Sequence, residues 1–186
     1  MVPGTPVRPR HPHRPSSPFL TEANAKLKAL DKHLGLEVST EDQQPTLIVT
    51  TGATAASIPD ARAIAAAAPA IPNWKVIALK PEFGFAFTIN HHGTRFEPQA
   101  MWFMTPEEQP FPGKLVIRVG IPNYTSTSPA HARDAVRIVL EKAIGEQSLA
   151  EDIASFDVLQ LPRAPEPAGY IGLFELPDVI AERRGE

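Results

Sequence analysis

Two carboxylates and two adjacent histidines are the side chains of this sequence that could carry acid–base or metal chemistry. Glu37 follows a short apolar segment, and Glu146 follows the end of a helix with an apolar stripe. Such carboxylates could act as general acid and base if the fold brought them into one cleft. His91 and His92 should point to opposite sides of an extended chain, so at most one could join a metal site with distant partners. We expect surface or structural roles for all four, with no metal and no cofactor.

Motifs of the common nucleophiles and nucleotide sites are missing from the sequence. There is no G-x-S-x-G, no Walker phosphate loop, no G-x-G-x-x-G and no H-E-x-x-H. The absence of cysteine excludes disulfides and thiolate chemistry. The hydroxyl-rich string Thr125 to Ser128 is interpreted as the cap of a following helix. The residues favour a protein without catalysis, and a small hydrolase using Glu37, Glu146 or a histidine is the alternative.

A row of aromatic residues raises a second alternative, the binding of single-stranded RNA. Phe83, Phe85 and Phe87 alternate, so they would share one face of an extended segment. RNA-binding modules stack bases on such rows. The net charge of −3 opposes this reading, because phosphate binding usually requires a basic surface. Core packing is the expected role of these rings, and nucleic acid is not an expected partner.

The elements that must position these residues predict an α+β fold. Residues 46–79 and 114–161 each have the pattern of a strand, a helix and a second strand, which is typical of a parallel crossover. A hairpin with its turn at residues 90–93 lies between them. Two such units on one mixed sheet predict a ferredoxin-like two-layer sandwich with extra elements. Trp74, at the start of the second strand, is expected to cap the core.

The ends of the domain follow from composition. Proline recurs at every third position from Pro3 to Pro18, among arginines and without acids. We expect residues 1–18 to be a disordered tail, and the alternative is a ligand for a proline-binding groove. Residues 19–186 are expected to form a single α+β domain that starts at a helix capped by Thr21. No apolar run reaches about 20 residues, and no secretory signal follows the basic start. The absence of cysteine fits a location in the cytosol.

Several segments together resemble a known family. They are Leu34 to Val38, Thr50-Thr51-Gly52, the string A-A-A-P-x-x-P-x-W-K from Ala66 to Lys75, the strand Val76 to Pro81 and the helix end Ile144-Gly145-Glu146. This pattern resembles a bacterial family of unknown function whose members are sometimes fused to a regulator-of-ribonuclease-E-like domain. The resemblance covers about Leu20 to Ile180. It implies a bacterial, cytoplasmic protein and supplies no catalytic residues.

The leading hypothesis is therefore a non-catalytic binding or regulatory domain. Its predicted binding surface is a sheet face that carries Lys75, Val116 and Arg118, with Trp102 nearby. A protein partner or a small ligand would bind there. The sequence leaves the identity of the partner and a homo-oligomeric state open.

Overall fold

The computed structural model describes residues 17–40, 44–122 and 124–185, and the first sixteen residues of the predicted tail (1–18) lie outside them. Helix α1 spans Ser17–Leu30. It therefore begins four residues before the predicted cap at Thr21 and includes the last two residues of the predicted tail. Proline is tolerated in the first turn of a helix, so Pro18 does not delay its start.

The first sheet has three strands in the order β1-β2-β3. They are β1 (Gly35–Ser39), β2 (Thr46–Thr50) and β3 (Lys75–Ala78), with helix α2 (Ile58–Ala67) between the last two. Strand β1 is antiparallel to β2, and β2 is parallel to β3. The first predicted crossover is thus confirmed.

One face of this sheet is covered by α1 and α2. Val49 of β2, Ile58 and Ala61 of α2, and the flanking Leu34 and Leu79 form a buried cluster against which further apolar side chains of α1 and α2 pack. The small alanines of α2 allow the helix to lie close to the strands. Strands at the edge of a sheet leave backbone groups unpaired. At the β1 edge, the Asn24 side chain accepts from Leu36 N (2.8 Å) and donates to Leu36 O (3.1 Å).

The remaining strands form two further sheets. The hairpin of β4 (Ile89–His91) and β5 (Thr94–Phe96) is one, and it has the predicted turn. The other has the order β8-β7-β6-β9, with β6 (Trp102–Met104), β7 (Leu115–Ile121), β8 (Ile153–Gln160) and β9 (Ile171–Gly172). Strands β7 and β8 are parallel and are joined by α3 (Pro129–Glu151), and the chain ends in α4 (Leu176–Arg184). The second predicted crossover is confirmed.

The α+β class is confirmed, but the prediction that both crossovers share one mixed sheet is wrong. Strand β3 pairs only with β2 in the described residues. After β3 the chain turns at Leu79, which has φ 66°, and runs along α3 rather than into the second sheet. Phe83 N donates to Lys142 O (2.9 Å), and Gly84 N donates to Ala143 O (3.1 Å). The segment after β3 thus bonds to a helix where a continuous sheet would need another strand.

Helix α3 spans the middle of the molecule. Its predicted cap is confirmed, since Ser128 Oγ accepts from His131 N (3.2 Å). The predicted helix end at Gly145 is confirmed, because Gly145 (φ 81°, ψ 159°) is not helical, and a second short helical segment of α3 follows this kink to Glu151. The buried residues of α3 pack against the second sheet in the larger core cluster. No helix in the described part of the chain is long and apolar enough to cross a bilayer.

Candidate functional site

The face of the first sheet opposite α1 and α2 forms the floor of a cleft. The strand register aligns Glu37, Ile48 and Ile77 in one row, and Ser39, Thr46 and Lys75 in the next. Residues paired across neighbouring strands share a face, so these six side chains lie on the same side of the sheet. All six line the cleft.

The wall of the cleft comes from α3 and from the segment that follows β3. Ile138, Glu141 and Lys142 line it from the helix, and residues 80–83 line it from the chain beside the helix. The volume is about 690 Å³, within the ~300–1,000 Å³ of small-ligand sites. Two apolar wall residues are well exposed, Phe83 at 53% and Ile138 at 38%. The cleft therefore offers apolar contact surface as well as charge.

A lysine between two carboxylates is the main polar feature of the cleft. Lys80 Nζ lies 2.8 Å from Glu37 Oε1 and 3.1 Å from Glu141 Oε2. Burial lowers the pKa of Lys80, but hydrogen bonds and attraction from the two carboxylates outweigh it, so the net pKa is raised. The amine is therefore held as an ammonium ion at neutral pH, which makes it a charge carrier and not a nucleophile.

Glu141 has an unsatisfied oxygen. The residue is only 7% exposed, and its Oε1 is shielded from solvent without a hydrogen-bond partner in the described part of the chain. Leaving a buried acceptor unpaired costs about 1–3 kcal/mol, and more for a charged group. Such atoms are rare in folded proteins, and a missing ligand, ion or water is a common reason for them. Among the described wall residues, Glu141 gives the clearest sign of a binding partner.

Glu146, in contrast, is fully satisfied and inaccessible. It is 0% exposed. Its Oε1 accepts from Thr50 Oγ1 (2.9 Å), Thr51 N (2.5 Å), Thr51 Oγ1 (2.8 Å) and Ala53 N (3.2 Å), and its Oε2 accepts from Lys80 N (3.0 Å). Burial raises the pKa of Glu146, but these donors favour the anion more strongly, so the net pKa is lowered. The carboxylate links the ends of β2 and β3 to α3.

The kink at Gly145 brings Glu146 close to the ends of β2 and β3. Its φ and ψ lie in a region that is essentially restricted to glycine. A Cβ at this position would lie 3.0 Å from Glu82 N and 3.4 Å from Lys80 O. The close approach places Glu146 beside the strand ends, where Glu146 N also donates to Lys80 O (3.0 Å). Glu37 lines the cleft and Glu146 does not, so the structure does not unite the two predicted carboxylates.

The histidines form a cluster elsewhere, between the β4–β5 hairpin and the start of α3. The rings of His91 and His92 lie 4.4 Å apart, and His131 stacks on His92 at 3.8 Å. The expectation that His91 and His92 point to opposite sides is wrong, because His92 (φ 48°) and Gly93 (φ 78°) form a tight turn. No group of three or more histidine or acidic residues in the described ranges is arranged to hold a metal ion. The stacked planes of His92 and His131, 10° apart, cannot direct their lone pairs at one ion.

The four predicted binding residues do not share one sheet face. Lys75 is exposed on the cleft floor in the first sheet. In the second sheet, Trp102 pairs with Gly120 and Arg118 pairs with Met104, so Trp102, Val116 and Arg118 lie together on the face away from the buried side chains of β7. The predicted surface is thus divided between two sheets. That any of the four binds a partner stays a prediction.

The structure also corrects the predictions for the phenylalanine row and for Trp74. Residues 83–88 form no strand, because Gly84 (φ 77°) interrupts the extended chain. Phe83 is exposed, whereas Phe85 and Phe87 pack against the larger core cluster. Lys142 Nζ lies 4.4 Å from the ring centroid of Phe83, so the cation covers this ring. Trp74 is half-buried and belongs to neither core cluster, so its expected role as a core cap is wrong.

Sequence reasoning missed Lys80, Glu141 and Lys142 as site residues. Lys80 ends a predicted strand, and Glu141 and Lys142 lie beside the apolar stripe of α3, which suggests solvent exposure. No local pattern in the sequence predicts that the segment after β3 would cover that side of the helix.

Comparison with known protein families, curated proteins and solved structures finds no match to this chain.

Proposed function

We propose that this chain is a non-catalytic binding domain of a bacterial, cytoplasmic protein, and that its ligand binds in the cleft on the open face of the first sheet. The observation that carries the proposal is the buried, unpartnered oxygen of Glu141 in a cleft of ligand size. The exposed side chains of Ile138 and Phe83 support it, because apolar surface beside a few placed polar groups is typical of ligand sites.

The catalytic alternative has less support. Glu146 is enclosed by its hydrogen-bond donors, and the histidine cluster is not among the residues that line the cleft. Lys80 is held in its charged form between Glu37 and Glu141. A hydrolase would need an accessible base beside a nucleophile or a bound water. RNA binding has less support for a similar reason, since only Phe83 of the aromatic row is exposed.

At the level of fold, the ferredoxin-like layout stays a prediction. The parallel pairing of β2 with β3 and of β7 with β8 across a helix supports two strand–helix–strand units on separate sheets.

The proposal is tested by NMR with a library of small fragments, on the full chain labelled with ¹⁵N. Binding in the cleft should shift the amide signals of its floor and wall, and Ile138→Trp should change those shifts because the larger ring takes up part of the cleft. Leu159→Trp is the matched control, since Leu159 has a similar exposure of 40% and lies on β8. Fragment-induced shifts that Ile138→Trp leaves unchanged would contradict the proposal. Shifts confined to Trp102, Val116 and Arg118 would favour the predicted second-sheet surface instead.

A further inference from the structure

We propose that two copies of this chain associate through the free edge of strand β8, so that the second sheet continues from one copy into the other across a two-fold axis. The inference is independent of the proposed function, because none of the described residues that line the cleft belongs to β8. It follows from unpaired backbone groups on this edge, from an exposed leucine beside them and from the positions of two charged residues.

Strand β8 is the outermost strand on its side of the second sheet, with β7 as its neighbour. The hydrogen bond from Leu161 N to Ile121 O shows that the odd-numbered residues from 157 to 161 direct their backbone groups toward β7. The residues between them direct theirs outward, and these are Phe156, Val158 and Gln160. The hydrogen bond from Arg133 Nη1 to Phe156 O (2.6 Å) agrees with this direction.

The unpaired part of the edge is short and is bounded on each side. Within the described ranges, the backbone N–H and C=O groups of Val158 and Gln160 form no hydrogen bond. Arg133 already donates to Phe156 O at one end, and Pro162 has no N–H at the other. A second extended strand is the natural partner of such an edge, because it presents N–H and C=O groups at the same spacing.

The other edges of the two larger sheets offer less. At the β1 edge, Asn24 already pairs with both backbone groups of Leu36. Strand β3 exposes only Lys75, and β9 has only two residues. On β8, in contrast, Leu159 is 40% exposed between the two residues with free backbone groups. The β8 edge thus combines free hydrogen-bonding groups with apolar surface.

A second copy matches this edge in one antiparallel register. When the two-fold axis passes beside Leu159, Val158 of each copy pairs with Gln160 of the other, and four backbone hydrogen bonds use all the free groups. Leu159 then lies opposite Leu159 of the second copy, in a pair without hydrogen bonds whose Cα atoms are about 4.5 Å apart. Both leucine side chains are thereby removed from water, which favours association.

The charged residues support the same register. Asp157 and Arg163 are exposed, and neither forms an ion pair in the described part of the chain. With the axis beside Leu159, Asp157 lies opposite Leu161 of the second copy, two residues from its Arg163, so opposite charges come close at both ends of the contact. An axis beside Asp157 would place two carboxylates directly opposite each other, which is destabilising. The strand therefore complements a copy of itself.

Sedimentation velocity of the full chain, from about 10 µM to 1 mM, tests the association. A contact limited to residues 157–161 is smaller than a standard interface, so the dimer should be weak, with a dissociation constant of about 10–500 µM. Leu159→Lys should raise this constant about tenfold or more, because two ammonium groups then oppose each other. Ile171→Lys is the matched control and should leave it unchanged, since Ile171 is 38% exposed on β9 at the other edge of the same sheet.

Cysteine cross-linking tests the register. The chain has no cysteine, so a single introduced thiol reports the contact. Mild oxidation of Leu159→Cys should join two chains by a disulfide, because a Cα separation of about 4.5 Å allows that bond. Asp157→Cys should remain unlinked, because in this register its two copies lie roughly 13 Å apart along the strands.

A monomer at about 1 mM would overturn the inference and would leave an extended segment of another protein as the partner of this edge. A dimer that Leu159→Lys and Ile171→Lys affect equally would also overturn it. So would equal cross-linking of Leu159→Cys and Asp157→Cys. If Leu159→Lys changes the circular dichroism spectrum, the cross-linking experiment decides.

Discussion

Replacing Glu146 by glutamine tests whether its carboxylate stabilises the fold by linking the two strand ends to α3. The amide keeps the size of the side chain but can accept at only one of its two terminal atoms. If the amide oxygen faces Thr51, the amide nitrogen faces Lys80 N, and two donors oppose each other. Losing a bond to a charged acceptor costs about 1.5–3 kcal/mol, and the remaining bonds lose their charge assistance. We expect the free energy of unfolding to fall by about 3 kcal/mol, toward the lower end of the range for breaking a buried charged network.

The same substitution has a pH signature. Because the folded-state pKa of Glu146 is lowered, its ionisation contributes stability that is fully present above the unfolded-state pKa of about 4.3. That contribution is lost as the pH falls through the lower, folded-state pKa. The glutamine variant has no such group. The stability difference between the unmodified protein and Glu146→Gln should therefore be largest near pH 7 and should shrink steadily below pH 4.

Urea unfolding followed by circular dichroism measures both quantities. In a separate thermal scan at pH 7, the melting temperature should fall by about 6–12 °C, since 1 kcal/mol corresponds to about 2–4 °C in a chain of this length. Glu151→Gln on the same helix is the control, because Glu151 is exposed and, within the described ranges, accepts from Gln147 alone. It should change stability by less than about 0.5 kcal/mol. A difference for Glu146→Gln below about 1 kcal/mol, or one independent of pH, would refute the reasoning.

Three further substitutions test individual contacts by their cost in stability, and each is measured by thermal and urea unfolding. Gly145→Ala should destabilise by about 2 kcal/mol or more, because it combines a backbone conformation restricted to glycine with a Cβ contact of 3.0 Å. Arg184→Gln should cost about 1–3 kcal/mol, since it leaves the buried Asp152 without its two-bond partner at 2.6 and 2.9 Å. Asn24→Ala should cost about 1–2 kcal/mol by unpairing both backbone groups of Leu36 at the β1 edge.

Gly145→Ala and Arg184→Gln each have a control variant on the same chain. Gly113→Ala places a Cβ at φ 74° with no atom within 4 Å, so it should cost less than Gly145→Ala, and equal costs would contradict the steric argument. Lys26→Gln removes an exposed ion pair with Glu22 and should have almost no effect. Arg184→Gln matching Lys26→Gln would show that the Asp152 pair contributes nothing. For Asn24→Ala, an unchanged midpoint would mean that solvent replaces both hydrogen bonds.

Local patterns in the sequence predicted the local elements well. The apolar alternation of residues 115–121 gave β7, the turn at His92 and Gly93 gave the β4–β5 hairpin, and the hydroxyl at Ser128 gave the cap of α3. These signals depend on residues within a few positions of one another. Both parallel crossovers were also predicted correctly, because short connections between a strand, a helix and a second strand allow few ways for the two strands to pair.

The partition into separate sheets and the cleft could not be predicted in this way. Which strands pair depends on contacts between distant residues, and the path of the chain after Leu79 is set by hydrogen bonds to α3. Glu141 shows the difficulty most clearly. It lies beside the apolar stripe of its helix, where exposure is expected, yet it is buried where the segment after β3 passes alongside the helix. Gly145 was correctly interpreted as a helix end, but the short helical segment that follows it had no signal in the sequence.

The position of Glu146 also has a consequence for how the chain unfolds. Its carboxylate completes the backbone hydrogen bonds of Thr51 and Lys80 in the first sheet, but it belongs to the helix that joins two strands of the second. The first sheet with its helices and the second sheet with α3 each depend on the other part for some of their backbone hydrogen bonds. We therefore expect the two parts to unfold in one cooperative transition. The two tryptophans report this directly, because Trp74 precedes β3 and Trp102 lies in β6. In Trp74→Phe and in Trp102→Phe, the fluorescence midpoint of the remaining tryptophan should equal the circular dichroism midpoint of the same variant. Different midpoints within one variant would show that the two parts unfold independently.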